Sequence, residues 1–119
     1  GHQVKTRARH NEIRDNRIQD GDGWGSLLLD VSNGGQAEVI DNRFQQSALA
    51  GNRTAIGFAG ESRDRSSPEH VLRVEGNSFV NEGGAATFVR NHSSAPAFLR
   101  GNRLPDRGVT PLRGPGSVD

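Results

Sequence analysis

The sequence predicts an all-β solenoid, a chain that winds through repeated coils of short parallel strands. Two observations carry this prediction. An apolar frame recurs four times around an asparagine, and short apolar runs bounded by turn-forming residues lie between the copies. A frame that recurs at intervals of tens of residues is typical of repeat proteins, in which each coil buries its few apolar side chains against its neighbours. We expect three to four coils in the 119 residues.

The repeated frame has an aliphatic residue three positions before the asparagine and an apolar residue two positions after it. Asp or Gly always precedes the asparagine, and Arg follows it in three of the four copies. The asparagines are separated by 26, 35 and 25 residues, so the corner is constant while the connecting segments vary. The four copies are Ile13–Ile18, Val39–Phe44, Val74–Phe79 and Leu99–Leu104.

A sharp corner between strands explains the choice of residues in the frame. Asn tolerates the left-handed backbone conformation that such a corner requires, and Asp and Gly are themselves turn residues. Asparagines stacked about 4.8 Å apart on successive coils can also hydrogen-bond to one another as a ladder. We therefore expect the apolar residues of the frame to point inward. Asp15, Asp41, Gly76 and Gly101 should occupy turn positions beside the asparagines.

Short apolar runs between the corners predict a second strand in each coil. These runs contain β-branched or aromatic residues and are bounded by Gly, Asn and Ser, as strands commonly are. No segment shows a sustained helical period, so no helix longer than a single turn is expected. The predicted strands lie within Val4–Ala8, Ser26–Val31, Thr54–Ala59 and Ala86–Arg90.

The predicted coils cover residues 1–104. The polar segment 60–70 has no apolar periodicity and accounts for the longest interval between corners, so it should protrude as a loop. Residues 105–119 contain three prolines and three glycines and predict a linker or frayed tail. The chain contains no Met and no signal peptide and opens within a strand, so we expect a fragment of a longer protein.

Composition limits the classes of function. The net charge is +1, from 15 basic and 14 acidic residues, which argues against the clustered basic face of a nucleic-acid-binding protein. The longest aliphatic run, Leu27–Leu29, is far too short to span a membrane. A hydrophobic content of 31% suffices for narrow coils and is meagre for a sandwich or a bundle.

Neither a metal nor a cofactor is expected. The absence of Cys excludes disulfides and thiolate metal sites. The histidines lack the spacing of metal ligands, so we expect them on the surface. They are His2, His10, His70 and His92.

The corner frame resembles that of the right-handed parallel β-helix proteins of the pectate-lyase-like superfamily, whose corners commonly carry an asparagine ladder. The resemblance covers about residues 1–104 and implies a right-handed parallel β-helix. It also implies a bacterial, periplasmic or extracellular protein that binds or processes a polysaccharide or cell-surface glycan. Because one fold hosts many activities, a non-catalytic structural or adhesive module is the alternative. Such a module would stack on further coils or self-associate through its open ends.

Lys5, Arg7 and Asp30 are the candidate catalytic residues. Lys5 and Arg7 project from the same side of one strand, and Asp30 lies on the equivalent strand of the next coil. A lysine can remove the proton alpha to a uronate carboxylate while an arginine neutralises that carboxylate. The segment also looks like the alginate and chondroitin lyases of this superfamily. These place an arginine on the next coil, where Leu29–Val31 has none; exposed charges on a solvated strand are the alternative.

Three further features are weaker candidates. Asp15 and Asp41 on adjacent coils could act as paired carboxylates in glycosidic cleavage, although a turn role is expected. Trp24 could stack on a sugar ring or pack over the edge of a coil. Asn52 and Asn91 begin formal glycosylation sequons.

Overall fold

The computed structural model describes residues 4–20, 27–48 and 53–119. The regular secondary structure in these ranges consists entirely of short β-strands. All of the pairings between these strands are parallel. The strands are β1 Val4–Thr6, β2 His10–Arg14, β3 Arg17–Gln19, β4 Leu29–Val31, β5 Gln36–Ile40, β6 Arg43–Gln46, β7 Thr54–Phe58, β8 Val71–Glu75, β9 Ser78–Asn81, β10 Ala86–Asn91, β11 Ala97–Arg100, β12 Val109–Arg113 and β13 Gly116–Val118.

The chain visits three sheets in turn. Sheet A has the order β1-β4-β7-β10-β12, sheet B has the order β13-β11-β8-β5-β2, and sheet C has the order β3-β6-β9. Each strand pairs with the strand that follows one round later, so the sheets are built from contacts between successive rounds of the chain. The architecture is all-β and parallel, and it is compatible with a β-solenoid.

The corner frames stack in register and point inward, as predicted. Ile13 pairs with Val39, Val39 with Val74, and Val74 with Leu99. The last three are buried and Ile13 is half-buried against the core. On the other side of the corner, Ile18, Phe44 and Phe79 are buried and Leu104 is partly buried.

The predicted asparagine ladder is present. Asn16 donates to Oδ1 of Asn42 from its backbone N–H at 2.9 Å and from its side-chain amide at 3.2 Å. Asn42 donates in the same two ways to Oδ1 of Asn77, at 2.8 and 3.0 Å. Asn77 donates likewise to Oδ1 of Asn102, at 3.0 and 2.9 Å. Each rung therefore joins one corner to the next.

The structure corrects the explanation for the backbone turn. The left-handed residue is the one before the asparagine, with φ values of 55° at Asp15, 56° at Asp41, 65° at Gly76 and 64° at Gly101. None of the four asparagines has a positive φ. The preceding residue turns the chain, which leaves the asparagine oriented to bond its neighbours.

The C-terminal segment differs from the predicted linker or tail over 105–119. β12 pairs with β10 and β13 pairs with β11, so both sheets continue beyond residue 104. Pro111 is tolerated because β12 lies at the edge of sheet A. Gly114 and Gly116, at φ values of 102° and 147°, approach the backbones of Asn91 and Ala97 where a Cβ would clash. The two glycines therefore allow this segment to pack closely against the neighbouring backbone.

Candidate functional site

A column of mostly charged residues crosses sheet A. Lys5 pairs with Asp30, Asp30 with Gly57, Gly57 with Arg90, and Arg90 with Arg113. Paired residues on neighbouring parallel strands project to the same side of a sheet and lie about 4.8 Å apart. Two of the three predicted site residues, Lys5 and Asp30, are thus brought together by strand register.

Glu61 joins the predicted residues into one cluster. The ammonium of Lys5 lies 3.0 Å from Oε2 of Glu61 and 3.9 Å from Oδ2 of Asp30. Nη2 of Arg7 lies 3.2 Å from Oε1 of the same glutamate. Glu61 therefore connects Lys5 with Arg7, and Asp30 joins this cluster through Lys5.

The loop 60–70 places Glu61 over the ends of β1 and β4. The chain leaves β7 through Ala59, which has a φ of 62°, and the N–H of Glu61 donates to the carbonyl of Ser32 at 2.8 Å. The sequence predicts this loop without indicating Glu61. A polar loop alone does not indicate which of its side chains turns back onto the sheet.

Electrostatic contacts keep Glu61 ionised. The hydrogen bond from Lys5 is the largest cause that lowers the pKa of Glu61 to about 2, from 4.5 in an isolated side chain. The neighbouring Arg7 lowers it further. The carboxylate is therefore ionised at pH values well above 2.

The cluster borders an open cleft, called the charged cleft, of about 330 Å³. Gly57 lines the cleft, and a Cβ at this position would lie 2.8 Å from Cδ1 of Leu27 and 3.8 Å from Oδ1 of Asp30. The side chain of Leu27 therefore packs close against the backbone of Gly57. The cleft is lined by Lys5, Leu27, Asp30, Gly57, Gly60, Glu61 and His92.

His92 adds a titratable group to the charged cleft. Desolvation lowers its pKa below the usual 6.5, and the positive charges of Arg90 and Arg65 lower it further, while Asp30 acts in the opposite direction. The imidazole is therefore predominantly neutral at pH 7. A neutral imidazole can both donate and accept a hydrogen bond.

The geometry suits hydrogen bonding to a polar ligand better than removal of a proton. An elimination would require Lys5 to accept a proton and Arg7 to contact the substrate carboxylate. In the structure both cations contact Glu61 instead. The carboxylates can accept hydrogen bonds from hydroxyl groups, and Lys5 and His92 can donate them.

His70 anchors the loop from within, which corrects the prediction that it lies on the surface. It is 5% exposed, and its ring packs edge-on against Phe58 with centroids 5.8 Å apart. Its Nδ1 accepts from the N–H of Gly35 at 2.9 Å, and its Nε2 donates to the carbonyl of Asp64 at 2.6 Å. His70 thus holds the loop that carries Glu61 against Gly35 and Phe58.

The remaining candidates are not at the charged cleft or lie outside the described residues. Asp15 and Asp41 occupy left-handed turns, as expected, and His10 is exposed. Asn91 is buried, and its amide donates to the carbonyls of Ala95 and Pro115 at 2.7 and 3.0 Å, which leaves it inaccessible to glycosylation. The predictions for His2, Trp24 and Asn52 fall on residues outside the described ranges.

Within the described ranges, no helix is long and apolar enough to cross a membrane. The same part of the chain contains no group of three or more His, Asp or Glu side chains arranged to hold a metal ion. Comparisons of the chain with protein-family models, curated proteins and solved structures found no match.

Proposed function

We propose that the chain is part of a right-handed parallel β-helix of the pectate-lyase-like kind that binds a polysaccharide in the charged cleft. The corner frame and its asparagine ladder support the fold. The hand is supported by a general rule, because about 98% of crossovers between parallel strands of one sheet are right-handed. A periplasmic or extracellular location would bring the protein into contact with such polymers.

The observation that carries the binding proposal is the open cleft bordered by Lys5, Asp30, Glu61 and His92. A volume of about 330 Å³ lies at the lower end of the range for small-ligand sites, which is about 300–1,000 Å³. It suits a single sugar ring of a longer chain. Asp30 and Glu61 accept hydrogen bonds from sugar hydroxyls, and Lys5 and His92 donate to sugar oxygens.

Binding is favoured over cleavage because Glu61 forms ion pairs with both predicted catalytic cations. Lys5 and Arg7 each lie within 3.2 Å of its carboxylate. A uronate in the cleft would have to displace Glu61 before Lys5 could act as a base. Incubation with alginate, pectate and chondroitin should therefore produce no rise in the absorbance of unsaturated products. A rise that Lys5→Ala abolishes would establish a lyase instead.

Filling the cleft tests the proposed site. Gly57→Val should weaken the binding of any polysaccharide that the protein binds by at least about tenfold, since the loss of one contact worth about 1.4 kcal/mol has this effect. Gly84→Val is the matched control, because a Cβ at Gly84 meets nothing within 4 Å. Calorimetric titration against a panel of neutral and uronate polysaccharides measures both. Equal affinity of the two variants for every ligand bound would overturn the site assignment.

The ends of the sheets support a non-catalytic structural or adhesive module as the second candidate. β1, β2 and β3 each occupy an edge of their sheet and have one strand partner. Unpaired strand edges are templates for further strands. On this alternative, the molecule stacks on further coils or on a second copy. Sedimentation velocity would then show association that increases with concentration and is unaffected by Gly57→Val.

A further inference from the structure

The residue after each corner asparagine contributes to a second charged surface, on sheet C. Arg17 pairs with Arg43, Arg43 pairs with Ser78, and Ser78 pairs with Arg103. Neighbouring positions are about 4.8 Å apart across the strands. Three arginines and one serine therefore form a line parallel to the stacking direction. We call these four residues the arginine stripe.

The arginine stripe faces outward and lines a shallow groove. Arg17, Arg43 and Arg103 are exposed, whereas the next residues along β3 and β6, Ile18 and Phe44, are buried. The groove measures about 530 Å³. Its other exposed or half-exposed side chains are Gln19, Gln45 and Val80.

The three arginines form no direct ion pair with the described residues. Within the described part of the chain, no carboxylate oxygen lies within 4.0 Å of any of them, although Lys5 and Arg14 each have an acidic partner. Like charges directly opposite one another on neighbouring strands destabilise a sheet. An anion lying along the stripe would remove this repulsion.

We propose that the arginine stripe binds a linear sulfated polysaccharide that runs along the stack of strands. A guanidinium can use both oxygens of a carboxylate at once. A sulfate ester has three terminal oxygens, so one sulfate can accept hydrogen bonds from both Arg17 and Arg43. Arg103 would contact a further sulfate along the chain. Ser78 and the glutamines suit the hydroxyl groups between the sulfates.

A nucleic acid fits this groove less well. Single strands are held by bases stacked on exposed aromatic rings, and the only aromatic residue that lines the groove, Phe44, is 1% exposed. A phosphodiester also presents two terminal oxygens where a sulfate ester presents three. The stripe lies on sheet C and the charged cleft on sheet A, so the inference goes beyond the proposed function. Each proposal can fail without the other.

The decisive comparison uses two triple variants with the same change in net charge. Arg17→Gln/Arg43→Gln/Arg103→Gln removes the charges of the stripe. Arg14→Gln/Arg73→Gln/Arg100→Gln removes three exposed arginines of sheet B. For fluorescent dextran sulfate at fixed salt, the first should weaken binding at least about tenfold and the second less than about threefold, because counterion release follows the charges actually contacted.

A variant that gains affinity provides a further test, because a misfolded protein could lose affinity but would not gain it. Ser78→Arg restores to β9 the residue that the other three corner frames carry, and it should tighten dextran sulfate binding by about threefold to tenfold through one added contact. Lys5→Ala/Glu61→Ala, which changes the charged cleft, should leave this binding unchanged.

Three results would overturn the proposal. The first is an equal loss in the two triple variants. The second is binding of uncharged dextran, alginate or single-stranded DNA by the Lys5→Ala/Glu61→Ala variant as tightly as it binds dextran sulfate. The third is no gain from a folded Ser78→Arg variant, with folding checked by circular dichroism and thermal unfolding.

Discussion

Oδ1 of Asn77 accepts two hydrogen bonds from Asn42, one from the backbone N–H at 2.8 Å and one from the side-chain amide at 3.0 Å. The amide of Asn77 donates in turn to the carbonyl of Val39 at 2.8 Å and to Oδ1 of Asn102 at 2.9 Å. Asn42 and Asn77 are 1% and 0% exposed, so these bonds form away from water. The side chain of Asn77 thus joins the corner before it to the corner after it.

Removal of this side chain should be costly. Asn77→Ala loses four hydrogen bonds and leaves the buried N–H of Asn42 without its acceptor. We expect the free energy of unfolding to fall by about 2–4 kcal/mol, since each net bond contributes about 0.5–1.5 kcal/mol and an orphaned buried group adds a penalty. Asn16→Ala, at the exposed end of the ladder, should cost less than about 1 kcal/mol. Equal losses in urea denaturation would contradict the role of the ladder.

His70 should hold the loop 60–70 against the sheets. His70→Ala removes the acceptor for Gly35 and the donor for Asp64, together with the contact on Phe58. We expect faster hydrogen exchange of the amides in 61–70 and loss of the contact between Lys5 and Glu61. Hydrogen-exchange mass spectrometry measures the first effect, and His10→Ala, at an exposed position, is the control. Unchanged protection of the loop would show that other contacts position Glu61.

The lowered pKa of Glu61 predicts an acid-dependent contribution to stability. Because the folded-state pKa is about 2 and the isolated value is 4.5, the folded protein binds fewer protons than the unfolded chain between these values. The contribution is therefore fully present above pH 4.5 and is lost as the pH falls towards 2. A carboxyl titration followed by NMR should give a midpoint near 2.

Lys5→Met should raise the pKa of Glu61 towards 4.5, because Lys5 is the largest cause of the shift. Glu61→Gln should abolish the part of the fall in the free energy of unfolding between pH 4.5 and 2 that results from protonation of Glu61. A midpoint in the original protein that already lies near 4.5 would show that the cluster does not persist in solution.

The last two strands should contribute to stability. A chain that ends at Leu104 loses β12 and β13 and exposes the edges of β10 and β11. Val109 and Leu112 pack against the core, and their loss should lower the free energy of unfolding by at least about 2 kcal/mol, given about 1.5–3 kcal/mol for a fully buried aliphatic side chain. Urea denaturation of the shortened chain measures this. An unchanged midpoint would restore the interpretation of 105–119 as a tail.

The repeating parts of the molecule follow from the local sequence. The inward position of Val39, Val74 and Leu99, the turn at Asp15 and Asp41, and the ladder all depend on a local frame and its copies. Parallel stacking places identical positions above one another, so a local pattern becomes a long-range contact without further information. The sequence also indicated Lys5 and Asp30 as neighbours, because both lie at equivalent positions of successive strands.

The residues that complete the sites could be identified from the fold alone. Glu61 contacts Lys5 and Arg7, and His70 contacts Gly35, across loops whose polar residues have no periodicity. β12 and β13 form despite Pro111 and the nearby glycines, because an edge strand tolerates proline and close backbone approach requires glycine. The arginine that follows the corner asparagine recurs in the sequence, but the sequence does not indicate its role. Strand register brings Arg17, Arg43 and Arg103 into one line, and the folded arrangement leaves that line exposed beside a groove.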